Sequence, residues 1–197
     1  MSLILKNKIC VIIGLKGNFQ IEIIKYLIKK EAKIYIFGEF SKNIQSFLSQ
    51  CENNIHFQEA NIPFKSYIKK ITNIEKIDYL FTNIEINVKN TTWEIWNNIY
   101  GFNVLGAIIE TLPYMKEQKM GRIMISIFMK NYSNNIYQNH YVATKNALKE
   151  IAKNLNFEFQ KDHITTQIIS QNLENLNILK ADISTRKIIK ETFNIFK

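Results

Sequence analysis

Short apolar runs alternate with longer stretches of helical period along most of this chain, and that alternation limits its fold more than any other feature. Residues 8–13 (KICVII), 33–37 (KIYIF), 55–59, 77–81 (IDYLF), 122–126 (RIMIS) and 165–170 (TTQIIS) read as strands. Between them, residues 19–30 (FQIEIIKYLIKK), 41–50, 63–73, 94 to about 115, and a segment through Tyr141 to about 160 repeat their apolar positions with helical spacing. Residues 183–196 read as a last helix. Ser41 is the expected N-cap of the second helix, Pro63 opens the third, and Asp182 or Ser184 caps the last. The long helix from 94 is expected to bend near Gly101 and Gly106.

Strands joined by helices in strict alternation make a parallel sheet covered on both faces, with right-handed crossovers. The first strand runs into a glycine-bearing turn, so the expected architecture is α/β, a doubly wound, Rossmann-like sheet in three layers. Residues 1–197 show no linker, internal repeat or low-complexity tract and read as a single domain.

Composition narrows the function. The hydrophobic content of 46% and charged content of 22% are those of an ordinary globular chain. The net charge of +9 would favour phosphate-bearing ligands or acidic proteins. The basic residues are scattered in pairs such as Lys29-Lys30 and Lys69-Lys70, with no zinc-finger spacing, RNA-binding aromatic motif or basic stripe, so solvated helix faces are the better reading than nucleic-acid binding. Cys10 lies inside an apolar run as a core residue, and Cys10 and Cys51 form no disulfide framework. Met1 to Leu5 is followed at once by Lys6 and Lys8, and the run 9–13 is too short to span a bilayer. A reducing cytoplasmic setting and no membrane partner are expected.

Two places carry chemistry. The turn Gly14-Leu15-Lys16-Gly17-Asn18-Phe19 follows the first strand, where free backbone N–H groups and the positive end of a helix suit a pyrophosphate. Gly14 and Gly17 permit close backbone approach and Lys16 adds a cation, although any α/β protein needs such a turn. The second place is Tyr141-Val142-Ala143-Thr144-Lys145. In a helix, residues four apart share a face, and an ammonium beside a phenol favours the phenolate, so Tyr141 can serve as a general acid or base.

Taken together these segments resemble the short-chain dehydrogenase/reductase family, over residues 6 to about 175 and again at 181–196. The family's first turn, Thr-Gly-x-x-x-Gly-x-Gly, falls on Ile13, Gly14, Asn18 and Gln20, with Gly14 retained. Residues 78–86 (DYLFTNIEI) are similar to its Asp-x-Leu-Val-Asn-Asn-Ala-Gly-Ile strand and turn, keeping Asn83 but not the Ala-Gly pair. Trp96 and Asn103-Val104-Leu105-Gly106 match its Trp and Asn-Leu-x-Gly, and Gly121-Arg122-Ile123 its Gly-Arg-Ile strand. Residues 140–148 (HYVATKNAL) resemble its active-site helix nearly residue for residue. Among the branches, the short connections look most like a shortened, diverged bacterial beta-ketoacyl-acyl-carrier-protein reductase.

The resemblance implies an oxidoreductase that uses NAD or NADP to reduce a carbonyl, in fatty acid biosynthesis on the closest analogy. Tyr141 would be proton donor, Lys145 would hold the nicotinamide ribose, and Asn103 would order a relay water. Gly14, Lys16, Gly17, Asn18, Phe19, Asn61, Ile62, Asn83, Tyr141 and Lys145 would line the cofactor, and no metal is implied. Glu39 would favour NAD and Lys16 NADP, so the choice stays open. The substrate would be a small or carrier-bound carbonyl compound, and the assembly a homodimer or homotetramer. His140, Trp93 and Trp96 read as packing or surface residues.

Several positions depart from the family pattern. Counting back from Tyr141, the family's catalytic serine position holds Phe128, and a phenyl ring cannot polarise a carbonyl. Ser126, Tyr132 and Ser133 lie nearby and would substitute only if the chain were shifted. The family's Pro-Gly after the sixth strand is Gln171-Asn172 here. The helix between Asn103 and Pro113 reads one turn short, and little more than ten residues stand where a substrate lid is expected, as if the fold were truncated at its C-terminus. A second reading therefore stays open beside the enzyme, that of a catalytically silent relative kept for dinucleotide binding or assembly.

Overall fold

The computed structural model describes residues 5–14, 18–39, 42–51, 55–60, 63–73, 75–87, 104–130 and 138–172. They form six parallel strands, β1 (Ile9–Ile13), β2 (Lys33–Gly38), β3 (Ile55–Glu59), β4 (Tyr79–Asn87), β5 (Gly121–Lys130) and β6 (Ile164–Asn172). The helices are α1 (Asn18–Lys29), α2 (Lys42–Ser49), α3 (Phe64–Thr72), α4 (Gly106–Glu117) and α5 (Gln138–Glu158). The strand order is β3-β2-β1-β4-β5-β6, the doubly wound arrangement expected from the alternation.

Continuous apolar runs become strands here because both sheet faces are covered. On one face Val11, Ile13, Leu80, Ile123, Ile125 and Ile127 pack against Tyr67, Ile68 and Ile71 of α3, Ala107, Ile108 and Met115 of α4, and Leu148 of α5. On the other, Cys10, Ile12, Ile34, Ile36, Phe81 and Met124 meet Ile23, Ile24 and Leu27 of α1 and Ile44 and Leu48 of α2. Each large side chain so buried contributes roughly 1.5–3 kcal/mol. Cys10 is fully buried, as expected, and burial pushes its thiol well above the usual range.

Two polar ties hold the lower edge of the sheet. The buried Asp78 carboxylate accepts from Ile9 N–H at 2.9 Å and Lys8 Nζ at 2.8 Å, binding the entrance of β1 to β4. Arg122 Nη1 donates to the His163 carbonyl at 2.7 Å, joining β5 to the turn before β6.

The structure extends β4 and β5 well beyond their expected ends. β4 continues to Asn87, although a turn is expected after Phe81, and β5 continues to Lys130. Where the family pattern has Ala-Gly, this chain has Ile84-Glu85, which supplies no residue suited to a turn. The alternation Thr82-Asn83-Ile84-Glu85-Ile86 is instead a strand pattern. The pairing runs unbroken from Tyr79 opposite Arg122 to Asn87 opposite Lys130. Pro63 stands just before α3, at the expected start. Ser41, the helix before residue 104 with Gly101, and the closing helix at 183–196 lie outside the described residues. Among the described residues no helix is long and apolar enough to cross a membrane.

Candidate active site

Where the strand order reverses, β1 and β4 lie side by side, and their connections leave in opposite directions. A crevice at the carboxyl ends of the two strands is the expected binding position in such sheets. Gly14 stands at its edge. Its φ is 74°, a conformation that residues with a Cβ rarely adopt, and its N–H donates to the Phe37 carbonyl at 3.0 Å. A Cβ there would stand 3.4 Å from the Asn83 carbonyl oxygen. Gly14 is therefore left-handed and lies beside β4. Asn18 and Phe19 form the first residues of α1. Lys16, Gly17, Asn61 and Ile62 lie outside the described residues.

Asn83, expected in a turn, is instead a strand residue of β4, paired with Ser126 of β5. Phe81 and Met124, two residues earlier on each strand, belong to the core beneath α1 and α2, so Asn83 and Ser126 share that face. Both are buried, and Ser126 Oγ lies 2.9 Å from Asn83 Oδ1 and 3.1 Å from the Thr82 carbonyl. The hydroxyl has one hydrogen, and both neighbours are acceptors within the sheet.

This answers the question of a substitute serine. Without a bulge in β5, the register cannot bring Ser126 to the position of Phe128, which pairs with Glu85 on one side and Gln171 on the other. The Ser126 hydroxyl is also committed inside the sheet. Ser126 therefore does not take the place of the missing serine. Tyr132 and Ser133 lie outside the described residues.

Helix α5 includes positions 141 and 145, one turn apart. Its rotation is fixed by Thr144, Leu148 and Ala152, all buried, with Leu148 packed over the face of β5 that carries Ile123, Ile125 and Ile127. Its far end is locked to β6 by one side chain: Asn156 Oδ1 accepts from Thr166 N–H at 2.6 Å and Asn156 Nδ2 donates to the Thr166 carbonyl at 2.9 Å. The side chains of Tyr141 and Lys145, and the whole of Asn103, lie outside the described residues. Asn103 immediately precedes Val104, which is fully buried just ahead of α4. Sequence reasoning missed the Asn83–Ser126 pair. Its only signal was a polar residue on each of two adjacent buried strands.

The comparisons with known proteins agree with this layout. Among solved structures, the chain is similar to an NADH-dependent reductase complexed with NAD, with 16% identity, a TM-score of 0.69, and coverage of 94% of this chain and 88% of the other. It is similar to a protein from Bacillus thuringiensis assigned as a 3-oxoacyl-reductase, with 16% identity, a TM-score of 0.68, and coverage of 96% and 90%. It also resembles the closed form of a serine dehydrogenase complexed with NADP+, with 15% identity, a TM-score of 0.69, and coverage of 95% and 86%. No curated protein sequence matches. The family model for short chain dehydrogenases matches residues 8–184, and the chain belongs to that family.

Proposed function

We propose that the protein is an NAD(P)H-dependent reductase that converts a carbonyl to an alcohol, with Tyr141 as proton donor. The observation that carries this reading is helix α5, which keeps the Tyr-x-x-x-Lys spacing and is held at a fixed rotation over β5 by Thr144 and Leu148. Gly14 fits a dinucleotide on physical grounds: it leaves the end of β1 without a Cβ at the crevice and turns the chain into α1. When bound, the nicotinamide supplies the hydride. The chain's own residues supply the rest. Gly14, Lys16, Gly17, Asn18 and Phe19 would receive the pyrophosphate, Asn61 and Ile62 the adenosine half, and Asn83 the wall of the crevice. Lys145 would bind the ribose and lower the proton affinity of Tyr141, whose hydroxyl gives its proton to the carbonyl oxygen. Asn103 would hold the water that reloads it.

Similar structures with NAD and with NADP support a nicotinamide dinucleotide without choosing between them. A beta-ketoacyl group on an acidic carrier protein is the substrate class that best suits the net charge of +9, and a homodimer or homotetramer the assembly. One observation favours the rival reading of a silent dinucleotide-binding relative. No hydroxyl stands at the Phe128 position of β5, and the nearest one on that strand, Ser126, is engaged inside the sheet.

Titration with NADH and NADPH followed by turnover with acyl and simple ketone substrates separates the two. In the enzyme reading, Tyr141→Phe lowers kcat by about 100-fold or more while dinucleotide affinity holds. Binding without turnover in both forms selects the silent relative. No binding at all overturns the enzyme reading and leaves the silent relative only a role in assembly.

A further inference from the structure

We infer that the outer part of the β4–β5 ladder seats an apolar chain of the carbonyl compound, so that the substrate class is an unbranched acyl or alkyl ketone rather than a hydroxylated one; this rests on the functional reading above. Strand residues alternate between faces, and Leu80, Ile123, Ile125 and Ile127 belong to the core on the face that carries Leu148 of α5. The register pairs Ile84 with Ile127 and Ile86 with Met129, so these positions continue the same face toward the carboxyl ends. On β6 the matching rows hold Ser170, opposite Ile127, and Asn172, opposite Met129. In these two rows the face is apolar across β4 and β5 and turns polar at β6.

Helix lengths set what stands over these rows. Met115 of α4 lies against Gly121, the first residue of β5. From Met115 back to Gly106, where α4 begins, the helix rises about 14 Å. Roughly four strand residues cover the same rise, so α4 begins near the row of Ile125, while β5 runs on to Lys130. Helix α5 is placed by Asn156, which is bonded to Thr166 in the row of Ile123. Counting back to Tyr141 raises the helix by about 22 Å, or roughly seven strand residues, to the rows of Met129 and Lys130. The buried Thr144 and Leu148 mark the stripe of α5 turned to the sheet, and positions 141 and 145 fall on that stripe. Its upper part is therefore Tyr141, Thr144 and Lys145, a polar stripe over an apolar wall. Such surfaces pack poorly against each other directly. A ketone with an apolar chain meets both, its oxygen at Tyr141 and its chain along Ile84, Ile86 and Met129.

The test is a series of methyl ketones lengthened one methylene at a time, with dihydroxyacetone as the hydroxylated counterpart. Turnover by the full chain is measured with NADH and NADPH, and binding of the same ketones by calorimetry with the oxidised dinucleotide present. While the chain lies on the wall, kcat/KM is expected to rise about fourfold per methylene, the worth of one buried CH₂, and affinity to rise in step. Ile86→Thr and Met129→Gln, which make the wall polar at nearly constant shape, are each expected to flatten that slope, the loss growing with chain length. Thermal unfolding of each variant checks that it folds. Should either fail to fold, Ile86→Val trims the wall by one methylene and is expected to lower kcat/KM for the long ketones most. Turnover that does not depend on chain length overturns the inference, as do a preference for dihydroxyacetone and a slope unchanged in the variants. Affinity that rises with chain length without turnover overturns the functional reading and supports the apolar wall. Absence of both binding and turnover with every ketone overturns the enzyme reading and this inference with it.

Discussion

Gly14 and Asn83 meet where β1 ends beside the middle of β4, with the glycine at φ 74° and a hypothetical Cβ 3.4 Å from the Asn83 carbonyl oxygen. That separation is ordinary van der Waals contact, so the constraint at Gly14 is backbone conformation rather than space. A left-handed conformation costs a residue with a Cβ about 1–2 kcal/mol. Gly14→Ala is therefore expected to lose about that much stability in urea unfolding, and to weaken NADH or NADPH binding because the turn that follows is re-aimed. An unchanged unfolding midpoint would show that the turn relaxes freely.

Gly121 is required for the opposite reason. A Cβ there would stand 2.9 Å from Met115 Cβ, because α4 rests directly on the first residue of β5. Both Met115 and Gly121 are buried, so the contact cannot relax into solvent. Gly121→Ala is expected to cost about 1–3 kcal/mol through overpacking. Met115→Ala in the same chain should recover part of it, since the offending atoms are removed. Loss without any recovery would place the strain in the backbone instead. The measurement is urea unfolding of the two single variants and the double variant.

Much of this architecture was legible in the sequence because it rests on local pattern. β3 begins and ends where the reading of residues 55–59 put it, and Pro63 marks the start of α3 by its fixed φ. β4 was read several residues short because the expected turn rests on an Ala-Gly pair that this chain lacks, and β5 was read short with it, since its outer half pairs with that extension. With Ile84-Glu85 in that place, cross-strand pairing extends the ladder, a tertiary effect that a local motif does not contain. Gly14 was legible as a turn residue. Its contact with Asn83 was not, because the two are 69 positions apart and meet only through the β1–β4 pairing. The Ser126–Asn83 bond was hidden likewise: a serine in an apolar strand reads equally as a spare nucleophile or as a structural partner. Only the register decides between them.

Phe128 offers a direct experiment on the difference between an enzyme and a silent relative. The strand runs through it without a bulge, so a serine introduced there would occupy the family's register. Phe128→Ser is expected to raise turnover of ketone substrates by about tenfold or more if a polarising hydroxyl is what the site lacks. Dinucleotide affinity should stay unchanged. A gain in turnover that Tyr141→Phe abolishes would tie both residues to one reaction. No gain in turnover would place the carbonyl's polarising group elsewhere, or show that no carbonyl docks.

Stability should fall on the alkaline side, and Tyr79 provides the test. Its ring is buried at the start of β4, and burial pushes its hydroxyl from 10.0 up to about 12, with the neighbouring Cys10 adding to the effect and Arg122 opposing it. The neutral phenol is the form the fold favours. Below pH 10 it is protonated whether the chain is folded or not, so its contribution is fully present. Between that point and about pH 12 the unfolded chain releases the proton while the folded chain holds it, and stability falls as pH rises. Tyr67, also raised by burial, and Lys33, raised mainly by its hydrogen bond with Glu75, act in the same direction. Comparing Tyr79→Phe with wild type at each pH cancels those shared contributions. The variant's urea midpoint is expected to fall less steeply above pH 10 than that of the wild type. Parallel curves would show that the Tyr79 phenol does not titrate during unfolding, and would assign the alkaline loss to the other groups raised in the fold, Cys10, Tyr35, Tyr67 and Lys33 among them.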